Sequence, residues 1–256
     1  MEEGRKERER NYHDERFASD PRRKLDKYYS TNEGAKNFYA GKISRDCNNK
    51  KVLEYGCGTG SLSFDLVKRG ALVTGIDISE VAIRKAKEMM LEKNIGGNLC
   101  FAVMDAEDLG FEAGEFSMVC GTGILHHLNV ERAFKELSRV LNEEGRAVFV
   151  EPLGYNLLIN LYRKMTPRMR SQDEHPLLRS DVELAGKYFR DVRIKHFHLL
   201  SLMAVPFRRM RGFHMLMKLV DRADGLLLSL PLVKWFAWMV VLELKSPKKY
   251  IEEANG

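Results

Sequence analysis

The sequence predicts an α/β protein whose mainly parallel sheet is covered by helices on both faces. Three observations predict it. Segments with strand character alternate with segments of helical period, a glycine-rich turn at residues 56 to 60 follows the first predicted strand, and an acid lies at or near the end of each of the next two strands. Open α/β sheets bind ligands at the carboxyl ends of their strands, so the pattern also predicts where a site lies.

The first predicted strand runs into the turn Val52 to Gly60, which reads VLEYGCGTG. Glycines reach backbone torsions closed to other residues, so this turn can press against a ligand. A dinucleotide-binding turn has the pattern G-x-G-x-x-G and receives a pyrophosphate. Here the third glycine comes one residue early, and Glu54 precedes the turn. A carboxylate there repels a pyrophosphate and suits the positively charged methionine end of S-adenosylmethionine (SAM).

The second and third predicted strands each carry an acid. Asp77, in the strand from 73 to 79, is placed to accept both hydroxyls of a ribose, and Asp105, in the strand from 99 to 106, is placed to accept from an adenine amino group. Each acid also has a simpler interpretation: Glu54 as a cap of the glycine turn, Asp77 as a helix cap and Asp105 as an Asx turn. One bound nucleoside accounts for all three with a single assumption.

Two helices are predicted between these strands. Ser79 is a candidate N-cap for a helix over 80–94, whose apolar residues fall close to the helical period. Asn129 starts a second amphipathic helix, which we expect Gly145 to end. Both helices are expected to be scaffold.

The fourth and fifth predicted strands lead into histidine and glutamate. The fourth, Phe116 to Gly121, is followed by the element Leu125-His126-His127, and the fifth, Arg146 to Val150, ends in Glu151-Pro152. With these motifs in this order, roughly residues 50 to 152 resemble the class I SAM-dependent methyltransferases. The resemblance is to the small-molecule branch that has an L-H-H element after the fourth strand.

The resemblance implies a Rossmann-like seven-stranded sheet in the order 3-2-1-4-5-7-6 with the last strand antiparallel. It implies SAM as cofactor and S-adenosylhomocysteine as product. The residues that it assigns to the cofactor are Glu54, Gly56, Cys57, Gly58, Gly60, Asp77, Ile78, Asp105, Ala106 and Gly121.

The resemblance also bears on catalysis. In similar sugar O-methyltransferases, the first histidine of the pair and an acid after the fifth strand assist the attacking hydroxyl, and the matching residues are His126 and Glu151. This chain has Glu where Asp is frequent, so reach and orientation can differ. The competing interpretation is structural, because many methyltransferases carry two histidines here without catalytic duty. For His127 we expect a structural role.

After Pro152 the regular alternation breaks. Residues 153–187 are expected to be a substrate-side insertion, 188–200 the sixth strand, 201–237 further helices and 238–244 the seventh strand. Between residues 160 and 250 there are eighteen Lys or Arg and eight Asp or Glu, a net of +10 in a chain of overall charge +6. The basic residues are therefore concentrated in the part of the chain that is expected to contact the substrate.

This charge leaves three partners open: an anionic small molecule, a membrane surface, or nucleic acid. Nucleic acid is not expected, because no basic stripe with interleaved aromatic residues is present. The segment 205–218 mixes apolar and basic residues in a way that fits a helix at a membrane interface, an ordinary amphipathic cover or a dimer helix. Residues 225–242 approach the length of a bilayer span, but Pro231 and Lys234 interrupt them, so a short helix and a buried strand are expected instead.

The expected organisation is a flexible charged segment over 1–24, one methyltransferase domain over 25–245 and a tail over 246–256. Within the domain we expect cover helices over 25–50, with Tyr28 and Tyr29 in a lid, and the SAM-binding core over 51–152. No two cysteines form a C-x-x-C pair, which indicates reduced thiols in a cytoplasmic protein, without a disulfide framework or metal site. Cys100 and Cys120 are expected in buried strands. The other histidines of the basic half are expected at surface or lid positions: His175, His196, His198 and His214.

Three functions follow as hypotheses. The leading one is methyl transfer from SAM to a small molecule, at a hydroxyl of a sugar, glycolipid or other polyhydroxy compound. The second keeps the reaction and places a lipid-like or quinone-like acceptor at the membrane surface, reached through residues 201–237. The third is a SAM-binding regulatory protein without turnover, and a homodimer is left open in each.

Overall fold

The computed structural model describes residues 2–19, 33–167, 170–207 and 210–248. Its centre is a seven-stranded sheet in the order β3-β2-β1-β4-β5-β7-β6, which confirms the expected topology. The strands are β1 (Lys51–Tyr55), β2 (Leu72–Asp77), β3 (Leu99–Val103), β4 (Phe116–Thr122), β5 (Leu141–Pro152), β6 (Phe189–Phe197) and β7 (Met239–Pro247). The helices are α1 (Glu2–Ser19), α2 (Glu33–Ser44), α3 (Ser61–Val67), α4 (Glu80–Glu92), α5 (Val130–Val140), α6 (Leu157–Met165), α7 (Arg179–Tyr188) and α8 (Phe213–Leu227).

The first five strands run parallel, and β7 is inserted antiparallel between β5 and β6. Because β6 pairs antiparallel with β7, it runs in the same direction as β5. All strands except β7 therefore point their carboxyl ends to one edge of the sheet. The glycine turn, the acids after β2 and β3, and the histidine pair after β4 meet at this edge.

Apolar side chains cover both faces of the sheet. One face packs α5 and α7 over a core that includes Phe134, Leu137 and Phe149. The other packs α2, α3 and α4 over a second core that includes Tyr39, Phe64 and Phe101. Burial on both faces explains the nearly continuous apolar runs of the central strands.

Helix α5 ends earlier than expected. It begins after Asn129, whose side chain accepts a hydrogen bond from the Arg132 amide, but it stops at Val140 and not at Gly145. Leu141 already pairs with Phe116, and the register shifts before the main ladder between β4 and β5 begins. Gly145 thus lies inside β5, where a β-carbon would stand 2.8 Å from the Asn142 carbonyl oxygen.

The prediction that Cys100 is buried was wrong. Cys100 is exposed, whereas Cys120 is buried as expected. The physical reason is strand order: β3 is an edge strand of the sheet, and β4 lies between β1 and β5. All four thiols are free in this structure.

The N-terminal segment departs from the expected flexible tail. Residues 2–19 form helix α1, and Glu9 in its middle is buried. Tyr28, Tyr29 and Ser30, in the segment expected to form a lid, lie outside the described residues. The part of the expected cover from Glu33 onward forms α2, whose buried Ala35, Tyr39 and Ile43 belong to the core.

The segments expected as insertions, 153–187 and 201–237, contain α6, most of α7, α8 and two short 3-10 helices, Ser201–Phe207 and Val233–Phe236. Asn156 caps α6 and also donates to the Phe236 carbonyl oxygen, 2.8 Å away, so α6 begins beside the second of these short helices. Among the described residues, no helix combines the length and the apolar character that a bilayer crossing requires.

Candidate functional site

The glycine turn after β1 is held in a backbone conformation that other residues adopt only at a cost. Gly56, Gly58 and Gly60 have φ values of 71°, 53° and 76°. A β-carbon on Gly60 would stand 2.5 Å from the Phe101 ring, and the Cys57 amide donates to the Ile76 carbonyl oxygen over 2.8 Å. The turn is therefore fixed against β2 and presents backbone to the crevice.

Asp77 joins the glycine turn to the start of α4. Its carboxylate accepts from the Gly58 amide at 2.8 Å and from the Ser79 amide at 3.0 Å. Burial raises the pKa of Asp77, while these two amide hydrogen bonds lower it and offset part of that rise. The N-cap of α4 is Ser79, whose side chain accepts from the Ala82 amide, so Asp77 holds the cap residue and is not itself the cap. Two carboxylate oxygens offer about four acceptor positions, so this pattern leaves capacity for ribose hydroxyls.

Glu54 lies beneath the turn at the end of β1. It is buried, and its carboxyl group is paired with the Ser63 hydroxyl in the first turn of α3. Burial raises the pKa of Glu54 to about 8, with a further contribution from the negative charge of Asp77. In this structure Glu54 is therefore largely protonated at neutral pH.

Asp105 follows β3 and forms the expected Asx turn. Its Oδ1 accepts from the Glu107 amide at 2.8 Å, and its Oδ2 is paired with Lys6 of α1. The next carbonyl, that of Ala106, accepts a hydrogen bond from the Tyr55 hydroxyl, which ties this loop to the end of β1. Asp105 and Asp77 thus end neighbouring strands at the same edge.

Gly121, at the end of β4, pairs with Tyr55 across the sheet. A β-carbon there would stand 2.7 Å from the Tyr55 carbonyl oxygen. The contact explains why glycine is needed at this position, and it brings the fourth strand close against the glycine turn.

Helix α1 lies across this edge. Asp14 accepts from the Ser79 hydroxyl at 2.5 Å and from the Val81 amide at 3.2 Å. The carbonyl oxygen of Phe17 accepts from Lys85, and the Phe17 ring lies 3.1 Å from the position of a β-carbon on Gly58. The helix therefore covers the crevice from the glycine turn to the start of α4.

Glu107 anchors the other end of α1 and was missed in the sequence. It is buried, and its Oε1 accepts from Arg5 at 2.5 Å and from the Asn129 amide at 2.7 Å. Arg5 also donates to the His127 carbonyl oxygen at 3.0 Å. Nothing in the sequence indicates this pairing, because Arg5 and Glu107 are about a hundred residues apart.

His126 and Glu151 form a buried dyad. His126 lies in a short 3-10 helix, Leu125–His127, and its Nδ1 is 2.7 Å from Oε2 of Glu151. The other oxygen of Glu151 accepts from the amides of Ile124 and Leu125, each at 2.9 Å. A carboxylate that accepts these hydrogen bonds favours the imidazole tautomer with the proton on Nδ1, which leaves Nε2 as an acceptor. The Glu151 side chain, longer than the Asp that is frequent at this position in similar proteins, reaches His126.

His127 faces α1. Its Nδ1 is 3.1 Å from Oε2 of Glu9, and His13, one turn further along α1, has its Nε2 3.5 Å from the same oxygen. Burial raises the pKa of Glu9, but interactions with His127, His13 and Ser171 outweigh burial, so the net pKa lies well below the ordinary value. Glu9 and His13 were not singled out in the sequence, where their i, i+4 spacing was the available signal.

All four histidines of the basic half were expected at the surface or in a lid, and the structure corrects this for two. His198 is buried beside Ser201, and His196 is half-buried against Trp235; burial lowers the pKa of both to about 4. His196 lies near the end of β6 and His198 directly after it, at the outer edge of the sheet. The His175 amide donates to the His126 carbonyl oxygen at 2.8 Å, so the insertion does cover the dyad, and His214 is exposed.

The arrangement fits an adenosine ligand. Asp77 at the end of β2 and Asp105 after β3 lie on one side of the turn after β1, whose glycines leave no side chains in the way. The dyad lies on the other side of this turn, with His126 after β4 and Glu151 near the end of β5. Such a site can hold a nucleoside and present its other end to a proton acceptor.

Comparisons with known proteins agree with this geometry. Residues 52–145 match a family model described as a methyltransferase domain. The chain is 32% identical over 114 residues to a ubiquinone biosynthesis O-methyltransferase of Coxiella burnetii, an alignment that covers 44% of this chain and 47% of that protein. It is 35% identical over 105 residues to the ubiquinone/menaquinone biosynthesis C-methyltransferase UbiE of Rhizobium johnstonii, covering 40% and 41%.

The chain thus spans less than half the length of these curated relatives. Among solved structures, it is similar to a Haemonchus contortus phosphoethanolamine N-methyltransferase in complex with phosphomonomethylethanolamine and S-adenosylhomocysteine. The TM-score is 0.60 at 16% identity, with 83% of this chain and 53% of that chain covered. This likeness confirms the Rossmann-like fold.

Proposed function

We propose that this chain is a SAM-dependent methyltransferase that acts on a hydroxyl group of a small molecule. The observation that carries the proposal is the placement, on one edge of the sheet, of a glycine turn, two strand-end acids and a buried His–Glu dyad. The match of residues 52–145 to a methyltransferase domain supports it.

The cofactor is proposed to lie between the glycine turn and the loop of Asp105. Asp77 receives the ribose hydroxyls, Asp105 the adenine amino group, and the backbone of residues 56–60 lies against the methionine end. Cys57, Ile78 and Ala106 line the same loops and complete the proposed cofactor contacts. When bound, SAM supplies a methyl group on a positively charged sulfur.

The dyad is proposed to take the proton of the acceptor. Nε2 of His126 is the acceptor atom, and Glu151 holds the imidazole through Nδ1 and stabilises the imidazolium that forms. Helix α1 and the loop around His175 exclude water from this region. Positioning of the hydroxyl in line with the methyl group supplies most of the acceleration.

The acceptor is proposed to be lipophilic, of quinol or phenol type, and to be reached at a membrane surface. Helix α8 supports this, because its outward face carries exposed Met215, Leu219 and Leu226 with Lys218 and Arg222 between them. Its inner face is held by buried Asp224, which accepts from the Leu199 and Leu200 amides at 2.9 and 2.8 Å.

Helix α6 carries a second exposed apolar group. Leu157, Leu161 and Met165 are 74%, 58% and 70% exposed, and exposed Lys164 lies in the same helix. Arg163 is partly buried and donates to Asn160. Apolar side chains flanked by cations are the composition of helices that lie in a membrane interface and favour anionic lipids. The names of the relatives, which refer to ubiquinone and menaquinone, are consistent with such an acceptor.

The reaction is tested with methyl-labelled SAM and cell extract separated into aqueous and lipid fractions. Mass spectrometry is expected to find the label in a lipid-soluble phenol or quinol ether. Label in a sugar or glycolipid keeps the reaction and overturns the acceptor. No labelled product and no S-adenosylhomocysteine, in the presence of SAM binding, would indicate the regulatory protein instead.

Membrane contact is tested by co-sedimentation with vesicles of phosphatidylglycerol and phosphatidylcholine at low and high salt. The wild type is expected to sediment with anionic vesicles at low salt and less at high salt. The double substitution Met215→Gln and Leu219→Gln is expected to reduce binding, and Leu91→Gln, at an equally exposed leucine of α4, is the matched control. Equal binding of both variants, or dimerisation through this face in sedimentation velocity, contradicts the membrane assignment.

A further inference from the structure

Three metal-ligating side chains meet between α1 and the histidine pair. Glu9 and His13 come from one face of α1, and His127 comes from the turn after β4. Oε2 of Glu9 is 3.1 Å from Nδ1 of His127 and 3.5 Å from Nε2 of His13. The three ligand atoms all lie within 4.8 Å of one another.

Two of these atoms are buried without a hydrogen bond. Oε2 of Glu9 and Nδ1 of His127 have no partner of suitable geometry, although both are removed from solvent. The other oxygen of Glu9 accepts from the Ser171 hydroxyl at 2.5 Å, so the carboxylate is held with Oε2 turned toward the histidines. Buried polar atoms almost always make a hydrogen bond, and these two face each other at 3.1 Å without one of regular geometry, an arrangement that a shared ligand would satisfy.

We propose that Glu9, His13 and His127 bind a divalent transition-metal ion of the Zn²⁺ type. Two imidazole nitrogens and one carboxylate oxygen are a donor set that suits Zn²⁺, Co²⁺ or Fe²⁺ better than Mg²⁺ or Ca²⁺. Ligands about 2.1 Å from a tetrahedral ion are about 3.4 Å apart. Two of the three distances, 3.1 and 3.5 Å, are close to this spacing, and the third, between the histidine nitrogens, is within 4.8 Å.

A second group of possible ligands adjoins the first through His127. Glu174, in the insertion that covers the dyad, offers a carboxylate oxygen within 4.8 Å of the ring nitrogens of both His126 and His127. His126 itself is committed to Glu151 through Nδ1. The site is thus adjacent to the dyad and does not share its hydrogen bond.

Such an ion would join α1 to the loop that carries the dyad. Two of its ligands belong to the helix that covers the crevice, and the third to the turn after β4. Metal binding and the closure of α1 would then be coupled, because the ion binds this cluster only when the helix is docked. This inference does not depend on methyl transfer and is tested without SAM or acceptor.

The test is calorimetric titration of chelator-treated protein with Zn²⁺ at neutral pH. The wild type is expected to bind one ion per chain, and Glu9→Gln and His13→Gln are each expected to weaken binding by at least about 10-fold. Co²⁺ is expected to give visible absorption of a nitrogen and oxygen site, which a thiolate site would not match. Saturating Zn²⁺ is expected to raise the Tm, since it binds the native state.

The matched controls are His214→Gln, at an exposed histidine of α8, and Cys100→Ser, at the exposed thiol. Both are expected to bind Zn²⁺ as the wild type does. Far-UV circular dichroism checks that each variant is folded, and His13, which is less buried than Glu9, provides the second substitution if Glu9→Gln does not fold. Absence of binding by the wild type, or binding that the control variants lose and His13→Gln retains, overturns the proposal.

Discussion

The carboxyl group of Glu54, at the end of β1, is paired with the Ser63 hydroxyl in the first turn of α3, and both side chains are buried. The pair places a carboxyl group, protonated at neutral pH, directly beneath the glycine turn. The sequence prediction had assigned Glu54 as a carboxylate for the methionine end of SAM. In the structure this carboxyl group is largely neutral at pH 7, so we expect its charge to depend on whether a cation is bound at the glycine turn.

We therefore predict that SAM binding releases protons. The pKa of Glu54 is raised to about 8, so the group is largely neutral at pH 7, and a positive charge placed nearby lowers that pKa. Calorimetric titrations in phosphate and Tris, which differ in ionisation enthalpy, are expected to give different heats, and Glu54→Gln is expected to remove the difference. Identical heats in both buffers for the wild type would contradict the assignment.

The same group makes stability depend on pH in a defined direction. An acid whose pKa is raised on folding stabilises the protein below its unfolded value of 4.5, and this contribution is lost as pH rises toward 8. Relative to Glu54→Gln, the wild type is expected to lose unfolding free energy between pH 5 and 8, by at most about 1.4 kcal/mol per pH unit. Denaturant unfolding of both proteins at several pH values measures it, and parallel profiles would count against a buried neutral Glu54.

Asp77→Asn is expected to weaken SAM binding. The Gly58 and Ser79 amides donate to different oxygens of Asp77, so asparagine can accept from only one of them, and it also loses the charge that strengthens hydrogen bonds from ribose. The expected loss is about 2 kcal/mol, or about 30-fold in Kd, by calorimetry. Asp108→Asn, in the next loop, is the control with unchanged affinity. If the Kd of Asp77→Asn equals that of the wild type, Asp77 only holds the backbone of Gly58 and Ser79 and does not bind SAM.

His126→Asn is expected to lower kcat by about 10²- to 10⁴-fold and to leave the Kd for SAM unchanged. The asparagine retains a donor toward Glu151, so the turn keeps its hydrogen bond while the proton acceptor Nε2 is lost. Single-turnover assays with the acceptor identified by labelling provide the measurement. Undiminished turnover would assign His126 to structure, as the competing sequence interpretation holds.

Gly60→Ala is expected to destabilise the protein more than Gly97→Ala. Both glycines have positive φ, 76° and 81°, so each alanine carries about 1–2 kcal/mol of backbone strain. Only at Gly60 does the new β-carbon also meet an atom, the Phe101 ring carbon at 2.5 Å, whereas nothing lies within 4 Å at Gly97. The difference in unfolding free energy is expected to be about 1–3 kcal/mol. Equal losses would mean that Phe101 moves aside.

The sheet and its loops could be predicted because they follow from local patterns. Buried strands, the glycine turn and the acids after β2 and β3 are encoded within a few residues of each other, and the strand order followed from the resemblance that they carry. The His126–Glu151 contact was expected from matching positions. The hydrogen bonds from Ile124 and Leu125 that orient Glu151 were not, since they depend on how the chain turns after β4.

The role of α1 could not be predicted for a physical reason. Its mixed-charge sequence has no apolar stripe, and such a segment alone suggests a solvated helix. Its stability comes instead from acids supplied by distant loops, as in the contacts of Arg5 with Glu107 and Lys6 with Asp105. Pairings between residues about a hundred positions apart leave no trace in either segment.

Antiparallel β7 forms a junction between the first five strands and the part of the chain that follows Pro152. Everything that the chain adds after Pro152 returns to the sheet through β7, whose pairing with β5 over residues 146–152 is regular. Under the proposed function, the cofactor contacts lie on β1 to β4 and their loops, whereas α6 and α8 come after this junction. A chimera joined here is therefore expected to take its cofactor from one parent and its acceptor from the other.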